Sequence, residues 1–97
     1  MQKQPAVYII TNKRNGTLYV GVTSNLVKRI WEHKNGVVDG FSKKYSLDRL
    51  VYFELFPDME SAIVFEKRIK KWRRGWKVEL IEKNNLHWKD LWDSIAG

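Results

Sequence analysis

The stretch Ala6-Val7-Tyr8-Ile9-Ile10-Thr11-Asn12-Lys13-Arg14-Asn15-Gly16-Thr17-Leu18-Tyr19-Val20-Gly21-Val22 decides the fold. Two runs rich in β-branched and aromatic residues flank a polar middle, and Asn-Gly between such runs is a strong hairpin signal. If Asn15-Gly16 is a two-residue turn, Arg14 pairs with Thr17, Asn12 with Tyr19, Ile10 with Gly21 and Tyr8 with Thr23. Paired residues share a face and faces alternate along a strand, so this register puts Tyr8 and Tyr19 on one side of the sheet. A three-residue loop with a bulge would change the register and separate them.

Beyond the hairpin, Thr23 or Ser24 is placed to cap a helix from about Asn25 to Lys34, with Gly36 as its stop. Its apolar residues are Leu26, Val27, Ile30 and Trp31. Arg29 and His33, four apart, stack at the edge of that stripe. Val37 to Tyr45 reads as a loop carrying Lys43-Lys44-Tyr45, and Leu50 to Phe56 as a third strand. Asp58 is an N-cap for a helix from Met59 to about Arg74, in which Ala62, Phe65, Ile69, Trp72 and then Trp76 form a core stripe. Glu66 lies roughly 80° from the centre of that stripe. Gly75 is expected to interrupt the helix, Trp76 to Lys83 to continue it, Asn84-Asn85 to break it, and Trp88 to Ile95 to add a last amphipathic turn or two. The order β-β-α-β-α-α predicts an α+β fold, a three-stranded and mainly antiparallel sheet flanked by helices that stabilise it.

The chain has 97 residues, one domain's worth over 1–97, and a domain of this size buries roughly 60–65% of its unfolded surface. The absence of Cys excludes disulfides, thiol nucleophiles and thiolate metal sites. The two histidines, His33 and His87, lack metal-ligand spacing. No apolar run approaches the ~20 residues that span a bilayer and no signal-peptide pattern opens the chain, so a cytoplasmic protein without a membrane partner is expected. The net charge of +7 and pI near 9.8 suit a phosphate-rich partner. The basic residues do not line one amphipathic helix, which favours nucleic acid over a membrane surface.

Each polar residue has an ordinary structural reading. Tyr8 and Tyr19 fill a half-buried sheet, Arg29 is a solvated helix residue, His33 is an exposed residue near a helix end, and Asn85 is a helix stop. Glu66 pairs with Lys67, Lys70 or Arg73. Together they suggest chemistry. Phosphodiester hydrolysis needs a nucleophilic water, a base for its proton, and positive charge where the transition state gathers negative charge. A carboxylate holding Mg²⁺ or Mn²⁺ supplies a Lewis acid, and an Arg binds phosphate oxygens in a bidentate manner. A Tyr is a poor base at its free pKa of ~10, a value that a metal and an Arg nearby would lower. One Glu, one Arg and two Tyr make a minimal single-metal nuclease site.

These residues also carry a resemblance. Val7-Tyr8-Ile9 and, ten residues on from Ile9, Tyr19-Val20-Gly21 resemble the paired motif of the GIY-YIG nuclease superfamily. Arg29 within Gly21 to His33, Glu66 within Ala62 to Trp72, and Asn85 within Leu80 to Leu91 extend the match over nearly the whole chain. It looks like the small stand-alone bacterial members, relatives of the excision-repair incision nuclease domain. The resemblance implies that Tyr8 and Tyr19 bind or activate the attacking water and the scissile phosphate, with Tyr8 taken as the base and Tyr19 as the positioning group. It implies that Arg29 holds the phosphate, that Glu66 binds a single Mg²⁺ or Mn²⁺, that His33 lies near the leaving group or water, and that Asn85 supports the site. Val7 stands in place of the first glycine of the motif, Val20 in place of its isoleucine, and Leu86 in place of a proline common in the small members. Lys43 and Lys44 resemble a Lys-Lys-Tyr element of those members and are expected to contact the DNA backbone. Arg68, Lys70, Lys71, Arg73 and Arg74 form a second basic run, part of which is ordinary solvated surface.

The expected function is a metal-dependent endonuclease acting on DNA rather than RNA, structured or damaged, in repair or recombination. The alternatives are a nucleic-acid-binding module that kept the fold without catalysis, and an accessory subunit that meets a repair protein through Trp88 and Trp92.

Overall fold

A computed structural model describes residues 4–38 and 40–96. Met1 to Lys3 and Gly97 of the expected 1–97 domain, and Asp39 of the expected 37–45 loop, lie outside the described residues. The opening stretch forms β1 (Ala6–Thr11) and β2 (Leu18–Thr23), and β3 (Arg49–Leu55) pairs with the other side of β1, giving the antiparallel order β2-β1-β3. The helices are α1 (Leu26–Lys34), α2 (Phe41–Lys44), α3 (Met59–Lys70), α4 (Arg74–Asn84) and α5 (Trp92–Ala96). This is the expected α+β class with its three-stranded antiparallel sheet.

The hairpin register is two residues away from the one that a two-residue Asn15-Gly16 turn would give. Ile10 pairs with Tyr19 and Tyr8 with Gly21. Gly16 N–H donates to the Lys13 carbonyl at 2.9 Å, so Arg14 and Asn15 are the corners of the turn, and Asn15 has φ 59°. Asn tolerates that left-handed conformation better than most residues. The Asn12 side chain accepts from Thr17 N–H at 3.2 Å, and Arg74 of α4 donates to the Asn15 and Gly16 carbonyls at 2.9 and 2.7 Å. A displacement of two residues preserves faces, so Tyr8 and Tyr19 still project from the same side.

β1 is buried at all six positions because the sheet is covered on both faces. Ala6, Tyr8 and Ile10 pack with Leu26 and Ile30 of α1 and with Leu47 and Leu50. Val7 and Ile9 pack with Val20, Val51, Ala62 and Ile69 of α3, Ile81 of α4 and Trp88. The sheet thus divides the apolar interior into two clusters.

Several boundaries differ from expectation. Asn25 caps α1 by accepting Lys28 N–H at 3.2 Å, while Thr23 Oγ1 accepts Asn25 N–H at 3.0 Å one step earlier. The expected 37–45 loop contains the single turn α2. The break after α3 falls at residues 71–73, so Gly75 lies inside α4. That break turns the chain and takes Trp76 out of the core stripe; it is exposed and meets Trp72 edge-on at 5.9 Å. Trp88, offered by the sequence as an exposed contact residue, is instead fully buried. Its φ of 57° turns the chain, and its indole N–H donates to Glu82 Oε2 at 2.7 Å. Beyond it, Leu91 N–H donates to the Leu50 carbonyl at 2.7 Å and Asp90 Oδ1 accepts Leu50 N–H at 3.2 Å, covering part of the free edge of β3.

Candidate active site

Tyr8 lies in mid-β1, opposite Gly21 of the edge strand β2. A Cβ on Gly21 would come within 2.4 Å of both Cζ and the hydroxyl oxygen of Tyr8, so the phenol lies directly over that glycine. The Tyr8, Tyr19 and His33 rings form a triangle, with centroids 6.5 Å apart for the two tyrosines, 5.6 Å for Tyr8 and His33, and 5.9 Å for Tyr19 and His33. His33 is buried, not exposed, because its place on α1 beside Ile30 turns it onto the sheet. Its Nε2 is hydrogen-bonded to the Tyr8 hydroxyl at 3.0 Å and its Nδ1 to Ser42 Oγ at 2.9 Å.

Charged groups surround this cluster. Burial pushes the Tyr8 hydroxyl well above its ordinary pKa, and Tyr19, Glu66 and Glu32 reinforce the shift while Arg29 opposes it. Of the sequence-derived residues, the structure therefore brings Tyr8, Tyr19 and His33 into contact and sets Arg29 and Glu66 within electrostatic reach of Tyr8. Arg29 is partly exposed and pairs loosely with Glu32 at 3.8 Å. Glu66 is buried, and its Oε2 meets the Nζ of Lys70 at 2.5 Å.

Burial and Arg29 hold the His33 imidazole below its ordinary 6.5, against the opposing pull of Glu32. An unfolded chain takes up that proton near pH ~6.5 and the folded one only at lower pH. The stability linked to His33 is thus full above the unfolded value and is lost as pH falls towards the folded one. Thermal unfolding between about pH 7.5 and pH 5 is expected to show this decline, and His33→Gln to remove it.

Among the described residues no group of three or more His, Cys, Asp or Glu converges as a metal cage. The donors at hand are the Glu66 carboxylate and phenol oxygens, all hard. That set fits a hard divalent cation that takes its remaining ligands from water and phosphate.

Asn85 closes α4, and its side chain works on the backbone. Nδ2 donates to the carbonyls of Val51 at 3.1 Å and Lys89 at 2.9 Å, and Oδ1 accepts Lys89 N–H at 2.9 Å. It joins the end of α4 to β3. Asn85→Ala is expected to cost about 1–3 kcal/mol in thermal unfolding by stranding these groups.

Lys43 and Lys44 lie on α2, next to the cluster. Tyr19 stacks on Phe41 at 6.3 Å and Phe41 meets Tyr45 at 4.7 Å, with Lys44 Nζ 5.4 Å from the centroid of the Tyr45 ring. Phe41 and Tyr45 are 47% and 42% exposed, so a row of rings leads out from the site. Of the second basic run, Lys70, Arg73 and Arg74 have intramolecular roles, at Glu66, over Trp76 and on the hairpin loop. Sequence reasoning missed Ser42, Glu32 and Phe41. The four-residue spacing of Phe41 and Tyr45 was a helical signal, whereas nothing in the pattern singled out Ser42.

Residues 4–79 match the family described as the GIY-YIG catalytic domain. A UPF0213 protein of Clostridium perfringens is 39% identical over 80 residues, which cover 82% of this chain and 85% of that protein. A UPF0213 protein of Pediococcus pentosaceus is 31% identical over 77 residues, or 79% and 81% of the two chains. The solution NMR structure of a UPF0213 protein from Bacillus halodurans superimposes with a TM-score of 0.54 at 28% identity, covering 84% of this chain and 86% of that one.

Proposed function

The chain belongs to the GIY-YIG catalytic-domain family, and from that premise we propose that it is an endonuclease hydrolysing phosphodiester bonds in DNA with a single Mg²⁺ or Mn²⁺. The observation that carries this reading is the buried Tyr8 hydroxyl, hydrogen-bonded to His33, with Tyr19 beside it and Arg29 and Glu66 within electrostatic reach.

A divalent cation held at Glu66 would supply Lewis-acid polarisation of the phosphoryl group. The Arg29 guanidinium binds non-bridging phosphate oxygens through charge-assisted hydrogen bonds and stabilises the negative charge that builds on them. Tyr19, half-buried beside Tyr8, positions the water. The raised pKa of Tyr8 makes a free phenolate a poor starting point. The phenol acts instead as a relay: its oxygen receives a proton from the attacking water as its own proton passes to His33 Nε2. The water oxygen bonds to phosphorus, the ester P–O bond breaks, and the departing alkoxide takes a proton from solvent. His33 is thereby the net base.

Lys43 and Lys44 contribute phosphate contacts, which position a strand without reading its sequence. The exposed rings of Phe41 and Tyr45 suit unstacked bases, whose faces pack on aromatic side chains. This favours DNA that is branched, damaged or locally single-stranded, the form repair or recombination presents, over intact duplex. No helix among the described residues is long and apolar enough to cross a membrane.

Supercoiled plasmid, branched DNA, single-stranded DNA and RNA, each with Mg²⁺, Mn²⁺ or chelator, test the reading. Metal-dependent cleavage strongest on branched or single-stranded DNA is expected. Salt-sensitive binding without products under every condition would make the chain a binding module and overturn the proposal.

A further inference from the structure

Ser42, which no motif singles out, is the third member of a buried chain running Tyr8–His33–Ser42. We propose that Ser42 is a positioning residue: its Oγ accepts the Nδ1–H of His33, fixing the tautomer whose bare Nε2 takes the hydrogen of Tyr8. The tautomer holds whatever the chain acts on, and its catalytic consequence rests on the nuclease reading.

Tyr8, His33 and Ser42 are 2%, 7% and 5% exposed, and the two hydrogen bonds that join them measure 3.0 and 2.9 Å. A neutral imidazole has one N–H and one acceptor nitrogen, so the two bonds are linked. If the hydrogen were on Nε2, it would point at the Tyr8 oxygen, and the Tyr8 hydroxyl hydrogen would have no acceptor among the described residues. If the ring hydrogen were on Nδ1, the Ser42 hydroxyl hydrogen would lack an acceptor among the described residues instead. The two arrangements strand one donor each, so donor strength decides. A phenol is a stronger acid than an aliphatic alcohol and the better donor to a bare imidazole nitrogen. With the hydrogen on Nδ1, Ser42 accepts it and Tyr8 donates to Nε2. The groups facing His33 are Tyr8 of β1, Tyr19 of β2, Arg29 and Glu32 of its own helix, and Ser42 of α2. Of these, Ser42 alone is hydrogen-bonded to Nδ1. Its backbone is itself anchored, the Ser42 carbonyl accepting Leu47 N–H at 2.8 Å. With Nε2 bare, the relay has somewhere to deliver the Tyr8 proton. With Nε2 already protonated, it is blocked.

The protein has only two histidines, so long-range ¹H–¹⁵N NMR of the metal-free, ¹⁵N-labelled protein reads the tautomer directly. A protonated Nδ1 and a bare Nε2 are expected for His33 in the wild type and in Ser42→Thr, and a mixed or reversed population in Ser42→Ala. With substrate, Ser42→Ala is expected to lose about 10-fold to 100-fold in kcat, as orienting partners of functional histidines do, with KM unchanged and Ser42→Thr near wild type. A wild-type Nε2–H tautomer, or a Ser42→Ala spectrum identical to wild type, overturns the assignment even if the protein cleaves DNA. The expected tautomer without cleavage of any nucleic acid would overturn the nuclease reading and leave the hold of Ser42 on His33 standing. Should Ser42→Ala fail to fold, the wild-type tautomer decides alone.

Discussion

Replacing Glu66 with glutamine is expected to reduce metal-supported cleavage by at least about 10³-fold, the scale on which a main electrostatic contributor to a transition state is lost, while leaving the protein folded and able to bind DNA. Glutamine keeps the shape of this buried side chain and removes the carboxylate to which the nuclease reading assigns the cation. The fold should tolerate it, because the partner left behind, Lys70, is half-exposed and can be hydrated, while the buried position loses a charge that is costly to keep out of water. DNA affinity without metal should stay the same or rise, since a negative charge beside a phosphate site has been removed. Arg29→Ala separates the two roles by losing both properties. Cleavage falls by about 10²-fold to 10³-fold, and the salt slope of binding shrinks by roughly one phosphate contact. Thermal unfolding, a gel cleavage assay and a salt titration of binding check all three points. Cleavage by Glu66→Gln at the wild-type rate in Mg²⁺ would remove the carboxylate from the chemistry and sink the single-metal reading.

What sequence could and could not foresee follows from the range of each interaction. The shared face of Tyr8 and Tyr19 was legible because it depends only on parity, and an even displacement of register leaves parity intact. The register itself was not, because it depends on which residue takes the left-handed turn position, and here Asn15 takes it ahead of Gly16. The N-cap at Asp58 was legible, since its side chain reaches Ser61 N–H only three residues on. The burial of His33 and Trp88 was not. A helix-end histidine and a tryptophan near the C-terminus are ordinarily surface residues, and only the packing of α1 on the sheet and the turn at Trp88 place them inside. Ser42 was beyond sequence reasoning for the same cause. Its partner is nine residues away on another helix, joined by a tertiary hydrogen bond that leaves no periodic trace. Trp76 continued a helical pattern that the chain breaks at residues 71–73, so the periodicity outlasted the helix.

Gly21→Ala is the second large effect, and it acts on a residue that carries no chemistry of its own. The added methyl would sit 2.4 Å from Cζ and the hydroxyl oxygen of Tyr8, well inside contact distance, so one of the two must move. The Tyr8 ring has two torsions and is enclosed by Tyr19 and His33, which leaves it little room to turn aside. Overpacking of this kind costs typically about 1–3 kcal/mol, and the displaced phenol loses its 3.0 Å hydrogen bond to His33. The variant should therefore unfold at lower temperature and also cleave poorly per folded molecule. A double-mutant cycle shows whether both losses run through one hydroxyl. Tyr8→Phe removes that oxygen outright, so adding Gly21→Ala to it should cost far less activity than Gly21→Ala costs alone. Wild-type stability and activity in Gly21→Ala would show that the ring does not need this glycine beneath it. The glycine that ends the second half of the paired motif is thus explained by the tyrosine in the first half. One strand gives up a side chain so that the phenol of its neighbour can lie across it and reach His33.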